Sequence, residues 1–265
     1  IMKIKRAIIL AAGQGSRLRP LTNSKPKCLV QISGKSILEW NIKILKLLGV
    51  EEIIVVGGYK IDKLKTFSDI KLILNNEYKT TNMIWSLNKA KKFLNTETII
   101  SYGDIVYSPK ILSDLIGSKA DIGIAVDMNW KSYWYERFDD PLTDAETLKF
   151  KKGTFIIEEI GKKTDNILDI EAQYIGLIKL SKKGVLNLRK KLMKNINSDK
   201  ETKIDIKNAY MTDFIQHLID NEILVTGVPF QKEWLEIDTI KDLNLKTTQK
   251  RIKAIGKHCN FKNLI

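Results

Sequence analysis

Small residues and then cations stand in a row near the start of the chain: Leu10-Ala11-Ala12-Gly13-Gln14-Gly15-Ser16-Arg17, with Lys27 ten residues later. Gly13 and Gly15 are expected to allow backbone angles that a side chain forbids, so that successive N–H groups point into one concavity. Arg17 and Lys27 add positive charge beside it. Amides and cations in this order suit a polyphosphate. Two familiar glycine loops are excluded. A P-loop needs a Lys-Ser/Thr pair after its second glycine, and a dinucleotide fingerprint needs a third glycine where this chain has Leu18.

Acidic residues elsewhere stand where a phosphate-bound metal would need them. Thr98 to Tyr102 reads as a strand that ends in Gly103-Asp104, and ligands of open α/β sheets bind beyond the carboxyl ends of strands. Asp104 is there either a metal ligand or a solvated turn residue. Asp238 also stands where a strand, Trp234 to Ile237, gives way to a helix, with Thr239 and Asp242 as its capping pair. Asn82 and Ser86, four apart at the start of a predicted helix over 83–91, share one face. Small hydrogen-bonding groups there would meet the edge of a base; the alternative is that Asn82 only caps the helix.

A third group has a different composition. Trp130, Tyr133, Trp134 and Tyr135 crowd into six residues, and Asp144, Glu146 and Glu171 follow. Aromatic faces and carboxylates together attract an ammonium. The alternative is an aromatic mini-core beneath a loop. The two histidines supply no catalytic pair; His217, among Phe214, Leu218 and Ile219, reads as a packing residue.

These groups must be positioned by a scaffold, and the chain of 265 residues is long enough for one large α/β domain. It is 43% hydrophobic, sufficient for a core, and 29% charged. Apolar runs at Ala7–Leu10, Ile53–Val56, Lys71–Leu74, Thr98–Tyr102 and Ala120–Asp127 read as strands. Helices predicted over 37–48 (opened by a Ser36/Glu39 capping box and stopped by Gly49) and 61–67 separate the first of them. Strand, helix, strand at this spacing means parallel pairing. After Asp127 the rhythm breaks. Residues 128–173 are expected to form a lid-like insertion with a hairpin around Lys152-Gly153. Gln173 to Leu180 then returns as a strand, followed by helices over 182–194 and 210–219, the second capped by Thr212. Residues 246–265 read as a basic tail with some helical character.

The net charge of +14 is carried mainly by lysines spread along the chain, which fits a solvated surface better than a nucleic-acid face. No apolar run is long enough for membrane insertion, and no N-terminal stretch has the form of a signal peptide. Cys28 and Cys259 form no metal-spaced pair, and a reduced cytoplasmic setting fits them.

Leu-Ala-Ala-Gly-Gln-Gly-Ser-Arg-Leu-Arg-Pro-Leu-Thr, residues 10 to 22, followed by Pro26-Lys27, resembles the signature of the sugar-phosphate nucleotidyltransferase superfamily. Trp234-x-Glu236-Ile237-Asp238-Thr239 is a second match, and Asn82-Met-Ile-Trp-Ser86-Leu87 is similar to the form found in phosphocholine and aminoethylphosphonate cytidylyltransferases. Glu171 to Leu177 resembles the stretch where relatives contact the acceptor. The resemblance implies a Rossmann-like, glycosyltransferase-A-like fold with a mixed, mostly parallel sheet, and a domain over 1–245. It implies transfer of CMP from CTP to a small phosphate- or phosphonate-bearing acceptor. Arg17, Lys27, Asp104 and Asp238 would be catalytic, the two aspartates holding Mg2+. Leu10 to Arg17, Lys27, Asn82, Ser86 and Gly103 would bind the nucleotide, and Trp130, Trp134, Asp144, Glu171 and Tyr174 the acceptor. A homodimer is left open. So are a sugar-1-phosphate nucleotidyltransferase using dTTP, UTP or GTP, and a silent nucleotide-binding regulator.

Overall fold

The computed structural model describes residues 4–197 and 204–259. In chain order the strands and helices are β1 (Arg6–Ala11), β2 (Gln31–Ile32), β3 (Lys35–Ser36), α1 (Ile37–Leu47), β4 (Glu52–Gly57), β5 (Lys71–Leu74), α2 (Met83–Lys89), β6 (Thr98–Tyr102), β7 (Ile105–Tyr107), α3 (Pro109–Gly117) and β8 (Ile122–Asp127). They continue as α4 (Trp130–Arg137), β9 (Leu148–Phe150), β10 (Ile157–Ile160), β11 (Gln173–Leu180), α5 (Lys182–Asn197), α6 (Met211–Asp220), β12 (Thr226–Phe230), β13 (Trp234–Glu236), α7 (Ile240–Asn244) and α8 (Lys246–His258). Seven strands make the central sheet in the order β12-β8-β11-β6-β1-β4-β5. β11 runs antiparallel to both its neighbours, and every other pair is parallel. The expected mixed, mostly parallel architecture is therefore present.

Successive strand residues point to opposite faces, and both faces are buried. Ala7, Ile9, Ile53, Val55 and Ile99 face one core, together with Trp40, Leu112, Trp130, Tyr133 and Trp234. Ile8, Leu10, Ile54, Val56 and Ile100 face the other, with Leu87, Leu188, Phe214 and Leu218. The Ser36/Glu39 capping box opens α1 as expected. The helix predicted over 61–67 is a shorter 3-10 turn, Ile61–Leu64. α6 starts at Met211 with Asp213 accepting from the Tyr210 N–H at 2.8 Å, so Thr212 is not its cap. His217 stacks on Phe214.

Two segments differ from their sequence reading. Residues 128–173 form α4 and the β9–β10 hairpin, which enter the two cores rather than lying over them. The supposed tail is α8, whose Ile252, Ile255 and Cys259 are fully buried; residues 260–265 lie outside the described ones. Both cysteines are buried and free. No described helix is long and apolar enough to cross a membrane.

Candidate active site

The loop after β1 and the turn after β6 meet at the carboxyl edge of the sheet. Gly103 permits that meeting: a Cβ there would lie 2.8 Å from the Ala11 Cβ and 2.9 Å from the Leu10 carbonyl. Gly15 has φ 61°, and its Cβ would collide with Lys27. Gly13 has no such need. Its φ is not positive and a Cβ would touch nothing, so its place in the loop leaves open space on the cleft side.

Asp104 and Asp238, far apart in sequence, are joined by a small antiparallel pair. β7 starts immediately after Asp104 and pairs with β13, Ile105 opposite Glu236. The Ile237 N–H then donates to the Asp104 carbonyl at 3.0 Å. This register sets Asp104, Glu236 and Asp238 together, with one oxygen of each within 4.8 Å of the others. The Lys27 ammonium lies among them, 2.7 Å from Asp104 Oδ2 and bonded to Asp238 Oδ1. Arg17 reaches Asp238 Oδ2 at 3.1 Å.

Burial and charge compete within this group. Burial alone would lower the Lys27 pKa, but the carboxylates of Asp104, Asp238 and Glu236 outweigh it and raise the net value. Glu236 is pushed up to about 7 by burial and by its two acidic neighbours, against the opposing pull of Arg137. Asp238 is held below its ordinary value because Lys27, Arg17 and Arg137 overcome its burial. The neighbouring Cys28 thiol, pushed up to about 12 by burial, is no nucleophile.

The donor set fits a hard divalent cation. Three carboxylates converge, and Asp104 Oδ1 is buried with no hydrogen-bond partner among the described residues. A buried acceptor left unpaired is costly, and a cation would satisfy it.

The cleft over this point has a volume of about 620 Å³. At one end, Tyr78, Thr81, Asn82, Met83 and Ser86 line it. Ser86 Oγ accepts from Asn75 Nδ2 at 3.0 Å, which leaves its own O–H to donate. Asn82 Nδ2 donates to the Asn208 carbonyl at 2.7 Å, which leaves Oδ1 to accept. Asn82 makes no side-chain cap bond to α2. At the other end the lining includes Trp134, Asp144, Glu146, Gln173, Tyr174, Tyr210 and Thr212.

A family model described as "MobA-like NTP transferase domain" matches residues 7–134. The CTP:phosphoglutamine cytidylyltransferase of Campylobacter jejuni is 42% identical over 253 residues, which cover 91% of this chain and 98% of that protein. The chain belongs to the sugar-phosphate nucleotidyltransferase superfamily. The choline-phosphate cytidylyltransferase of Streptococcus pneumoniae is 37% identical over 116 residues, 43% of this chain and 51% of that one. Among solved structures, the inositol-1-phosphate CTP transferase of T. maritima superposes with a TM-score of 0.75 at 20% identity, covering 97% of this chain and 98% of that one. The CTP:phosphocholine cytidylyltransferase of Streptococcus pneumoniae gives 0.71 at 23%, covering 95% and 100%. These two likenesses concern the fold.

Of the residues expected to form the site of this nucleotidyltransferase, most meet in the cleft. Leu10 to Gly13, Gly15, Ser16, Arg17, Lys27, Asn82, Ser86, Gly103, Asp104, Trp134, Asp144, Tyr174 and Asp238 all line it. Three do not. Gln14 is absent from the lining, although its neighbours Gly13 and Gly15 belong to it. Trp130 is 1% exposed and stacks edge-on against Trp134 in the core, so the mini-core reading holds for it and for Tyr133. Glu171 is exposed and meets the Phe150 N–H at 3.4 Å, on the hairpin side of β11.

Sequence reasoning missed Glu236 and Arg137. Glu236 is two residues before Asp238, a spacing that puts both on one side of an extended segment, and that was the available signal. Arg137 is buried, bonded to Glu236 Oε2 at 2.6 Å and Asp242 Oδ1 at 2.9 Å, and lies over the rings of Tyr133, Trp134 and Phe138.

Proposed function

We propose that the protein is a Mg2+-dependent, CTP-using cytidylyltransferase. It transfers CMP to a small phosphomonoester or phosphonate, phosphocholine-like or 2-aminoethylphosphonate-like, and acts in the cytoplasm. An acceptor oxygen forms a bond to the α-phosphorus of CTP, the bond to the bridging oxygen breaks, and pyrophosphate leaves with the electron pair. The observation that carries this reading is the convergence of Lys27, Asp104, Glu236 and Asp238 at the mouth of the Gly13–Arg17 loop. The full-length likeness to a cytidylyltransferase supports it.

The loop amides and the Arg17 guanidinium would hold the β- and γ-phosphates. Lys27 would move from the carboxylates to the α-phosphate and the incoming acceptor, where its charge offsets the repulsion of two anions. Asp104, Glu236 and Asp238 would hold magnesium. That ion, when bound, neutralises charge that develops on the phosphates. The Ser86 hydroxyl and Asn82 Oδ1 offer one donor and one acceptor, which suits cytosine with its O2 and N3 acceptors and N4 donors. No protein nucleophile is required, because the acceptor is already an anion.

Pyrophosphate release from CTP, UTP, dTTP, ATP and GTP against phosphocholine, 2-aminoethylphosphonate and sugar 1-phosphates tests the proposal. CTP with a non-sugar acceptor is the expected pair. Turnover only with a sugar 1-phosphate would assign the chain to NDP-sugar synthesis, and none with any pair would leave a silent nucleotide-binding regulator. Asp104→Ala and Asp238→Ala should each lower turnover by orders of magnitude with little change in melting temperature.

A further inference from the structure

Several hydrogen-bond acceptors converge at the acceptor end of the cleft, beside the hydroxyls of Tyr174, Tyr210 and Thr212. Gln173 is 7% exposed, and its Nε2 donates to the carbonyls of Glu146 at 2.7 Å and Ala172 at 3.3 Å. Both partners are carbonyl oxygens, so the amide orientation is fixed by chemistry. Its Oε1 has no partner among the described residues and can only accept. Asp144 Oδ2 accepts from the Trp134 indole at 3.0 Å, and the second oxygen has no hydrogen bond among the described residues. Glu146 carries a second carboxylate, with the Thr212 hydroxyl as its partner; burial holds its pKa up, and nearby Asp213 and Asp144 add to that. The Tyr174 hydroxyl is buried, and its ring stands edge-on to Tyr102.

Among the described residues, cations balance this end only in part. Lys27 and Arg17, the cleft's lysine and arginine, are bonded to Asp104 and Asp238. Lys163, from the loop before β11, bonds the carbonyls of Thr143 and Asp144, and its charge pulls the Glu146 pKa down against burial. Two carboxylates, each with one protein donor, and the Gln173 amide oxygen keep acceptor capacity to spare on the cleft, which suits a ligand that brings both positive charge and N–H groups.

The aromatic residues decide which kind of cation. A quaternary ammonium has no N–H and is held by open aromatic faces. Here Trp130 and Tyr133 are in the core, 1% and 0% exposed, Trp134 offers Asp144 its N–H edge, and Tyr174 packs edge-on against Tyr102, so that Tyr210 presents an open ring at this end without the others completing a cage. A primary ammonium has three donors, each able to form a charge-assisted bond to a carboxylate or amide oxygen. We propose that this end of the cleft selects an acceptor bearing a primary ammonium, held by Asp144, Glu146 and Gln173 Oε1, and discriminates against its trimethylated counterpart. The inference rests on the transfer to a phosphorylated acceptor described above. A buried acceptor left without its bond is what the quaternary head would pay.

The test is a methylation series. Kinetics with CTP and Mg2+ are measured for 2-aminoethyl phosphate and its mono-, di- and trimethyl forms, together with phosphoglutamine and an uncharged control, 2-hydroxyethyl phosphate. The same compounds are titrated calorimetrically against the protein with a non-hydrolysable CTP analogue. The amine is expected to exceed the trimethyl form by about tenfold or more, the value of one lost hydrogen bond of roughly 1.4 kcal/mol. Glu146→Gln and Asp144→Asn should flatten the series without shifting the melting temperature. A trimethyl or hydroxyl compound that serves as well as the best amine overturns the inference, although transfer itself then stands. Absence of turnover with every acceptor overturns the transfer reading, and the calorimetric order still decides the ammonium question; no binding by any amine rejects it.

Discussion

Lys27 holds the position that a metal ion would be expected to take. Its ammonium bonds Asp104 and Asp238, and it lies close enough to Glu236 for that carboxylate to raise its pKa. Two unit charges 4 Å apart interact by about 4 kcal/mol at an effective dielectric of about 20. An ammonium so placed therefore competes with a divalent cation until a nucleotide phosphate draws it away. Lys27→Ala should raise the calorimetric affinity for Mn2+ or Mg2+ without nucleotide by about tenfold or more, while turnover falls. Unchanged or weaker cation binding would show that the lysine does not compete. Arg17, Lys27, Asp104 and Asp238 were legible in the sequence because each stands in a recognisable run or at the end of an apolar strand. Glu236 was not, because its one signal, the two-residue spacing from Asp238, says which side of the segment it shares but not what that side faces. Its role depends on the β7–β13 register, which brings together residues remote in sequence.

At the scale of elements, α4 is the part that the sequence misrepresented. Aromatic and charged residues fall on all sides of it, so it has no apolar stripe to read. Its burial comes from being surrounded by β13, α8 and the loop before β9. Arg137 on this helix ties it to the carboxylate loop through Glu236 and Asp242. Asp242 in turn accepts from the N–H groups of Asp238 and Thr239 at 2.9 and 2.8 Å, which fixes the backbone that carries Asp238. Removing one partner of a buried ion pair leaves the other uncompensated, at a cost of about 3–5 kcal/mol. Arg137→Met should lose that much in urea denaturation. Arg137→Lys should recover only part of it, since one ammonium cannot match the fork that reaches both carboxylates. Stability within about 1 kcal/mol of the parent for Arg137→Met would mean that the guanidinium is incidental to the loop. The strands, by contrast, were readable almost throughout, because a sheet buried on both faces requires runs of apolar residues.

For the whole molecule, the contribution of α8 decides where the domain ends. The sequence between Lys246 and His258 is dominated by basic residues, and that composition concealed a stripe of Thr248, Ile252, Ile255 and Cys259 directed into the core. Arg251 on the same helix donates to the Trp234 carbonyl at 2.7 Å and lies 4.1 Å from the Tyr133 ring centroid. α8 thus covers β13 and the aromatic cluster that supports Glu236 and Arg137. Truncating a single buried isoleucine to alanine costs about 2–5 kcal/mol, and domains of this kind have about 5–15 kcal/mol in total. Ile252→Ala should therefore fold with a lower urea midpoint, whereas a chain ending at Leu245 should lose cooperative unfolding and turnover together. A truncated chain that melts within a few degrees of the parent and retains turnover would make α8 an appendage. The loss expected here follows from the core rather than from contact with substrate, so adding nucleotide and acceptor should not restore it.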